Sequence, residues 1–240
     1  MKTIGSTIIM LALASSLFAD NGKELKLASP DGTHEIVFYQ KQVSPAVNEL
    51  CYRVDYKSQP VVNESRAGLE LDNRIWEMAL GVRNLKQPAC WMDNLEVDSV
   101  TYQLETNLTW QPLYGERSSV RDHYRAGTLC LSKKDNSGYR LNIEVRAYNE
   151  GVAFRYFFPE HPKAIFHKVV GDLTEYALPA GTKAWTEQWA QAFFERLNID
   201  DIKHPVERTL TFELPNGKWA ALADADVDDW CLTKYLVSTD

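Results

Sequence analysis

The 240-residue sequence has a formal net charge of −7, 45% hydrophobic residues and four cysteines. This acidic balance argues against nucleic acid and against anionic lipid surfaces as partners, because both bind through basic patches. No stretch approaches ~18 uninterrupted apolar residues, so we expect no transmembrane helix and no membrane partner.

Residues 1–19 have the features of a secretory signal peptide. A positively charged start precedes an apolar run over residues 8–18, and Ala19 supplies a small residue at the cleavage position. Removing this segment leaves a mature chain, residues 20–240, whose charge is −8 because Lys2 is the only charged residue lost. The first cysteine lies far from the cleavage position, so no N-terminal lipid anchor is expected. We therefore predict a free periplasmic or secreted protein.

The cysteines leave two alternatives open. Cys51, Cys90, Cys130 and Cys231 would allow three disulfide pairings in an exported chain. Strand-like residues flank Cys51 and Cys130, so burial as free thiols is at least as good an interpretation for these two. No CxxC or Cys/His ligand spacing occurs, and a zinc site is not expected.

Strand patterns recur along the chain. Residues 139–147 alternate apolar and polar, a turn follows at Asn149-Glu150-Gly151, and residues 152–158 alternate again, which predicts a long hairpin. A second hairpin is predicted over 209–222. The only helix we expect is a short one near residues 198–202. Many short strands separated by turns predict an all-β fold, an antiparallel sandwich of two large sheets with few short helices.

An earlier strand and a loop complete this prediction. Leu50, Tyr52, Val54 and Tyr56 fall on one face of a predicted strand, and the less regular segment 84–94 is expected to be a surface loop.

One stretch, residues 178–195, combines aromatic rings with acidic side chains. Trp185 and Trp189 alternate with Glu187, and Glu195 ends the segment. Aromatic rings cover the apolar faces of pyranoses, while a carboxylate accepts hydrogen bonds from hydroxyls or holds a hard cation. The stretch therefore fits a sugar site, and the alternative is a core loop with solvated acids.

Two other segments have weaker patterns. Residues 109–124 contain Trp110, Tyr114, Glu116 and two arginines, which fits either a wall of a sugar pocket or a bend braced by an Arg–Glu pair. The acidic run starting at Asp224 resembles a calcium loop. It fails as an EF-hand, because glycine is missing at the sixth position and glutamate at the twelfth, so an exposed acidic turn is preferred.

Five motifs in order carry a family resemblance: SPDGT, YRVDYKSQPVV with SRAGLEL, WQPLYGER, YNEGVAFRYFFPE and LPAGTKAW. Together they resemble the N-terminal domain of glycoside hydrolase family 97, the α-glucosidase and α-galactosidase family of Bacteroidetes. The resemblance covers about Lys23 to Asp229.

The resemblance implies an N-terminal β-super-sandwich, which in the family precedes a catalytic (β/α)8 barrel and a small C-terminal β-domain. The chain matches only the first of these parts. Its implied role is to pack on the barrel of an exported calcium-dependent α-glycoside hydrolase, to wall the sugar pocket and to donate one calcium ligand. No catalytic residue is expected in this chain, which should be inactive alone.

The family pattern also assigns roles to the residues of the 178–195 stretch. Glu195 matches the calcium ligand, with Glu187 as its rival, and Trp185, Glu187 and Trp189 are the expected contacts to an α-linked oligosaccharide. The alternative is a stand-alone carbohydrate-binding module without hydrolase activity.

Overall fold

The computed structural model describes residues 23–45, 47–82, 89–90, 93–133, 135, 137–225, 227–228 and 230–238. The predicted signal peptide lies outside these residues. Antiparallel strands dominate the described part of the chain, which confirms the all-β prediction. Its helices are a 3-10 turn at Ile199–Asp201, where the short helix was predicted, and an α-helix at Arg74–Ala79, which was not.

The first sheet is a four-stranded antiparallel meander in the order β1-β2-β3-β4. Its strands are β1 (Glu24–Ala28), β2 (His34–Ser44), β3 (Val47–Tyr56) and β4 (Gln59–Arg66). Leu50, Tyr52 and Val54 are buried as the alternation predicted, but Cys51 on the opposite face is buried as well. Burial on both faces shows that other parts of the chain cover this sheet.

The second sheet has the order β11-β10-β9-β7, with β8 pairing to the first half of β9. Its strands are β7 (Leu95–Tyr102), β8 (Thr106–Trp110), β9 (Val120–Lys133), β10 (Arg140–Tyr148) and β11 (Gly151–Phe157). The hairpin formed by β10 and β11 is the one that the sequence predicted, with Tyr148 paired to Gly151 across the turn.

The two large sheets pack face to face around one hydrophobic core. Phe38 and Tyr52 from the first sheet stack with ring centroids 5.2 Å apart, and Phe154 from β11 meets Phe38 edge-on at 5.1 Å. Ile143 and Leu129 of the second sheet are fully buried in the same core. The predicted sandwich of two large sheets is therefore present.

Three smaller sheets complete the described fold. The first has the order β12-β5-β6 and contains β5 (Leu69–Leu71), β6 (Ala89–Cys90) and β12 (Val169–Asp172). The second has the order β14-β13-β16-β17 and contains β13 (Lys183–Thr186), β14 (Glu195–Asn198), β16 (Leu210–Glu213) and β17 (Trp219–Leu222). The third pairs β15 (Val206–Glu207) with β18 (Lys234–Tyr235). The four-stranded sheet has its own core, centred on Phe212 and Ala184. Strands β16 and β17 form the second predicted hairpin.

Three of the four cysteines are free thiols: Cys51 is buried, Cys130 half-buried and Cys231 exposed. This confirms the free-thiol interpretation for Cys51 and Cys130. The predicted surface loop at 84–94 lies mostly outside the described residues. Among the described residues, neither helix has the length and apolar character needed to cross a membrane.

Candidate functional site

The stretch singled out by the sequence folds as a hairpin with an eight-residue loop. Strands β13 and β14 pair antiparallel, with Thr186 opposite Glu195 at the last rung, so residues 187–194 form the connection. We call this connection the aromatic loop. The Thr186 hydroxyl donates to the Glu195 carbonyl oxygen at 3.2 Å, which closes the base of the loop.

The first half of the aromatic loop is anchored to the small sheet formed by β15 and β18. The Glu207 amide donates to the Glu187 carbonyl oxygen at 2.9 Å, and the Lys234 ammonium donates to the Gln188 carbonyl oxygen at 3.1 Å. A turn within the loop is held by the Ala192 amide, which donates to the Trp189 carbonyl oxygen at 2.8 Å. Hydrogen bonds to its backbone carbonyl groups therefore hold the loop in place, and these bonds do not use the side chains of the loop.

Those side chains include large apolar groups in solvent. Phe193 is 93% exposed, Phe194 is 65% exposed and Trp189 is 57% exposed. Three exposed aromatic residues on one loop are unusual for a surface that faces only water, because exposed apolar patches on soluble proteins commonly mark interaction sites.

The two glutamates of the stretch flank this patch. Glu195 is exposed at the start of β14, and Glu187 is half-buried at the end of β13. Within the described residues, neither carboxylate has a hydrogen bond or an ion pair, although Arg196 is adjacent and instead pairs with Glu213. Two uncommitted carboxylates at the base of an apolar loop are available to bind a group from outside this chain.

A calcium ion needs six to eight oxygen ligands, so a complete site needs several acidic or carbonyl groups together. The described part of the chain contains no group of three or more His, Cys, Asp or Glu side chains arranged for a metal ion. A calcium ligand at Glu195 therefore stays a prediction, and within the described residues Glu195 belongs to no such group.

Trp185 lies away from this surface. Its cross-strand partners are Arg196 and Thr211, whereas Glu195 pairs with Thr186, so Trp185 and Glu195 project from opposite faces of the sheet. The Trp185 ring stacks on Trp219 at 4.4 Å, and the Arg196 guanidinium lies 4.9 Å from the ring centroid. These contacts occupy the ring, and its assignment as a sugar contact remains a prediction that the geometry does not favour.

Contacts within the described chain also bear on the other two segments, residues 109–124 and the acidic run at Asp224. In residues 109–124, Arg121 donates to the Asn107 side chain at 2.9 Å, and no Arg–Glu pair braces the bend among the described residues. Tyr114 is 91% exposed, so this segment does not form a closed pocket wall within the chain. Asp224 pairs with Arg208 at 3.1 Å, as an ordinary surface carboxylate does, which agrees with the rejection of the calcium loop.

Two apolar residues near the aromatic loop were not identified from the sequence. Leu232 and Leu236 are both exposed and lie two positions either side of Lys234, whose side chain reaches the loop. Because residues an even number of positions apart share one face of an extended strand, this spacing could have identified them from the sequence.

Known proteins resemble this chain both in sequence and in fold. The family model described as Glycosyl-hydrolase 97 N-terminal matches residues 27–238. A retaining alpha-galactosidase of Bacteroides thetaiotaomicron is 26% identical over 178 residues. That alignment covers 74% of this chain and 22% of the relative.

Solved structures share the fold. A family 97 glycoside hydrolase from Pseudoalteromonas sp. strain K8, in complex with acarbose, superposes with a TM-score of 0.74 at 23% identity, over 88% of this chain and 30% of that one. A beta-arabinopyranosidase superposes with a TM-score of 0.66 at 16% identity, over 82% of this chain and 31% of that chain. The chain thus spans less than a third of each of these proteins, and it belongs to the N-terminal domain family of glycoside hydrolase family 97.

Proposed function

We propose that the chain is the N-terminal domain of an exported calcium-dependent α-glycoside hydrolase of the α-glucosidase or α-galactosidase type. In this proposal it packs on a catalytic (β/α)8 barrel through the aromatic loop, walls the sugar pocket and donates Glu195 to a calcium ion. The observation that carries the proposal is the position of Glu195, an exposed carboxylate without a partner in the described chain, beside three exposed aromatic side chains.

The relatives support two parts of the proposal, that the chain is a domain of a larger enzyme and that this enzyme acts on α-linked sugars. The aligned part makes up 22% of one relative and 30% of another, which leaves room for a separate catalytic domain. One of them is named as an alpha-galactosidase and another was solved with acarbose. An α-linked oligosaccharide is therefore the substrate class that we propose for the enzyme to which this chain contributes.

The role of Glu195 follows from charge and geometry. A carboxylate brought to a domain interface loses water, and this loss is offset when it binds a divalent cation together with ligands from the other domain. The apolar side chains around it exclude solvent once they are covered, which strengthens the electrostatic interaction between ion and carboxylate. Calcium bound at such an interface would order the sugar pocket and join the domains.

The test compares Glu195→Gln with Glu187→Gln in the full-length enzyme. Hydrolysis of p-nitrophenyl α-glucoside and α-galactoside is measured over a calcium titration. We expect Glu195→Gln to raise the calcium concentration for half-maximal activity by at least about tenfold, since one charged ligand of the shell is lost. Glu187→Gln is the matched control and should leave the calcium response close to wild type.

Circular dichroism should show that both variants keep the strand content of the parent. An unchanged calcium response in Glu195→Gln would refute the assignment of this ligand. The chain alone should not turn over either substrate, and clear hydrolysis by the purified chain would refute the proposed division of labour.

The stand-alone binding module is less well supported by the geometry. A sugar-binding platform needs ring faces that are open to the ligand, and the Trp185 face is occupied by Trp219 and Arg196. Trp189 is exposed, but it lies within the apolar patch. Calorimetric titration of the chain with malto-oligosaccharides should therefore show no sub-millimolar binding.

A further inference from the structure

A second surface lies away from the aromatic loop, along a groove between two edge strands. The groove has a volume of about 1170 Å³ and is bordered by β11 on one side and by β17 on the other. Residues of the first sheet, including Ile36 and Tyr52, line it. We call it the edge groove.

Within the part of the chain that the structure describes, both bordering strands have a neighbour on one side only. Strand β11 pairs with β10, and β17 pairs with β16, so each has a row of unpaired backbone N–H and C=O groups along its other edge. Natural proteins usually protect such edges with charges, proline or bulges. Strand β17 has the sequence WAAL, and β11 has the sequence GVAFRYF with one charged residue, so neither edge is protected in this way.

Burial along β11 shows that its cover is incomplete. Val152 and Phe154 face the same side as Ala147 and Val145 of β10, their cross-strand partners. The β10 side chains are fully buried, whereas those on β11 are only half-buried. The apolar face of this sheet therefore extends to its edge strand β11, whereas the chain that packs on this face covers β11 only in part.

Strand β17 shows the same difference. Ala220 and Leu222 pair with Phe212 and Leu210 of β16. The two β16 side chains are buried and the two on β17 are half-buried. Two unprotected edges with the same incomplete burial thus face one groove.

We propose that the edge groove takes an extended β-strand, supplied by a part of the larger enzyme outside this chain, which pairs with the free edge of β11. Addition of a strand to an open sheet edge is a common recognition mode, in which backbone hydrogen bonds supply affinity and alternate side chains fill pockets. This inference rests on the proposed function, because the matched part is only 22% of one relative and 30% of another, so most of the larger enzyme lies outside it.

The hairpin geometry identifies the backbone groups that would pair. A two-residue turn connects β10 to β11, and Tyr148 and Gly151 are the pair that closes it. Such a closing pair is hydrogen-bonded, and bonding alternates along an antiparallel ladder. The amides of Val152, Phe154 and Tyr156 therefore point away from β10 and toward the incoming strand.

A small ligand fits the groove less well than a strand. Two of the aromatic rings that line the groove are already in use: Tyr56 has Lys218 at 4.8 Å and Lys57 at 5.2 Å over its ring, and Phe154 packs on Phe38. The edge of β11 adds a row of unpaired backbone donors and acceptors, which is the chemistry that another strand recognises.

Residue-resolved amide hydrogen exchange of the full-length enzyme tests the proposal. We expect the amides of Val152, Phe154 and Tyr156 to exchange at least about 100-fold more slowly than unprotected amides, because a paired strand shields them. Strand β8 is the internal reference, since it belongs to the same sheet, pairs only with β9 and is mostly exposed. Exchange at the three β11 amides as fast as at free β8 amides would overturn the proposal.

A proline variant provides the second measurement. Val152→Pro removes one outward N–H and no hydrogen bond to β10, a position that an edge strand tolerates. We expect faster exchange at Phe154 and Tyr156, while β10 amides remain protected. If Val152→Pro leaves those two amides protected, the shielding does not come from a paired strand and the proposal fails.

The outcomes also separate this proposal from the proposed function. Protection that disappears when the enzyme is diluted would identify a second copy as the occupant and overturn the proposal. If the native protein has no catalytic domain, the proposed function fails, and with it the source of the strand. If the domain is present, and Glu195→Gln alters the calcium response while β11 exchanges freely, only the strand proposal fails.

Discussion

Trp185 and Glu195 lie on opposite faces of one four-stranded sheet, although a single hairpin carries both of them. The side chains of Trp185, Arg196 and Trp219 lie on one face of this sheet, and those of Glu195 and Thr186 lie on the other. The two residues therefore serve different surfaces. We therefore assign Trp185 to the stability of the sheet and Glu195 to the proposed interface with another domain.

The stack of Trp185 on Trp219 should contribute to the stability of the sheet. Replacing either ring with Ala should lower the free energy of unfolding by about 1–3 kcal/mol, less than for a fully buried ring, because both side chains are partly exposed. The two losses should not add, and the coupling between the rings should be about 0.5–1.5 kcal/mol. Urea unfolding of the single and double variants measures both quantities.

The same variants report on the site. Because Trp185 does not face Glu195, Trp185→Ala should leave the calcium response of the full-length enzyme unchanged. A calcium shift as large as that of Glu195→Gln would show that the two residues share one site after all.

The fold was predictable because alternation of apolar and polar residues determines which residues enter a strand and which face is buried. The hairpin of β10 and β11 is the clearest case, since seven cross-strand pairs extend from a turn with standard residues. The helix at Arg74–Ala79 was missed because it is only six residues long. A segment that short has too few turns to establish a helical period.

The relation between Trp185 and Glu195 was not predictable for a different reason. A shift of one residue in the pairing of β13 with β14 would place Trp185 opposite Glu195 instead of opposite Arg196. An eight-residue loop does not determine the register as a two-residue turn does. The sequence therefore indicated which residues gather in the hairpin, while the backbone pairing decided which of them share a surface.

The exposed rings of the aromatic loop should couple this domain to the rest of the enzyme. Replacing both Phe193 and Phe194 with Ser removes two interface anchors, each expected to contribute about 1–2 kcal/mol when buried at a domain contact. Calorimetry of the full-length enzyme should then show the domain unfolding in a separate transition at lower temperature.

Phe166→Ser is the matched control for the loop variant. Phe166 is 73% exposed and packs against Trp76, on a different part of the surface. Its replacement should leave the unfolding profile of the enzyme intact. Identical profiles for the loop variant and the parent would show that the aromatic loop does not contact another domain.

The thiols should differ sharply in reactivity. Burial raises the pKa of Cys51 to about 11, with further increases from the nearby Glu64 and Glu49 carboxylates, whereas Cys231 is exposed. Only the thiolate reacts, so at pH 8 iodoacetamide should modify Cys51 at least about 100-fold more slowly than Cys231. Peptide mapping by mass spectrometry follows each site, and labelling in urea should equalise the rates. Recovery of Cys51 in a disulfide would contradict the free-thiol assignment.

The stability of the domain should fall in mild acid because of His167. This ring stacks on Phe158 at 4.3 Å and lies 3.3 Å from the Asn73 amide nitrogen. Burial lowers the pKa of His167 to about 4, with a smaller contribution from His161. The unfolded chain binds this proton near pH 6.5 and the folded chain only near pH 4, so the folded state loses relative stability as the pH falls between these values.

The full pKa shift sets an upper limit on this effect, and partial exposure of the ring reduces it to about 1–2 kcal/mol. Chemical unfolding at pH 7 and at pH 4.5 measures the loss in the parent and in His167→Gln, which cannot bind the proton. Burial also lowers the pKa of His34, so some pH dependence of the same sign should remain in the variant. If the variant loses as much stability as the parent over this interval, His167 is not the group that titrates.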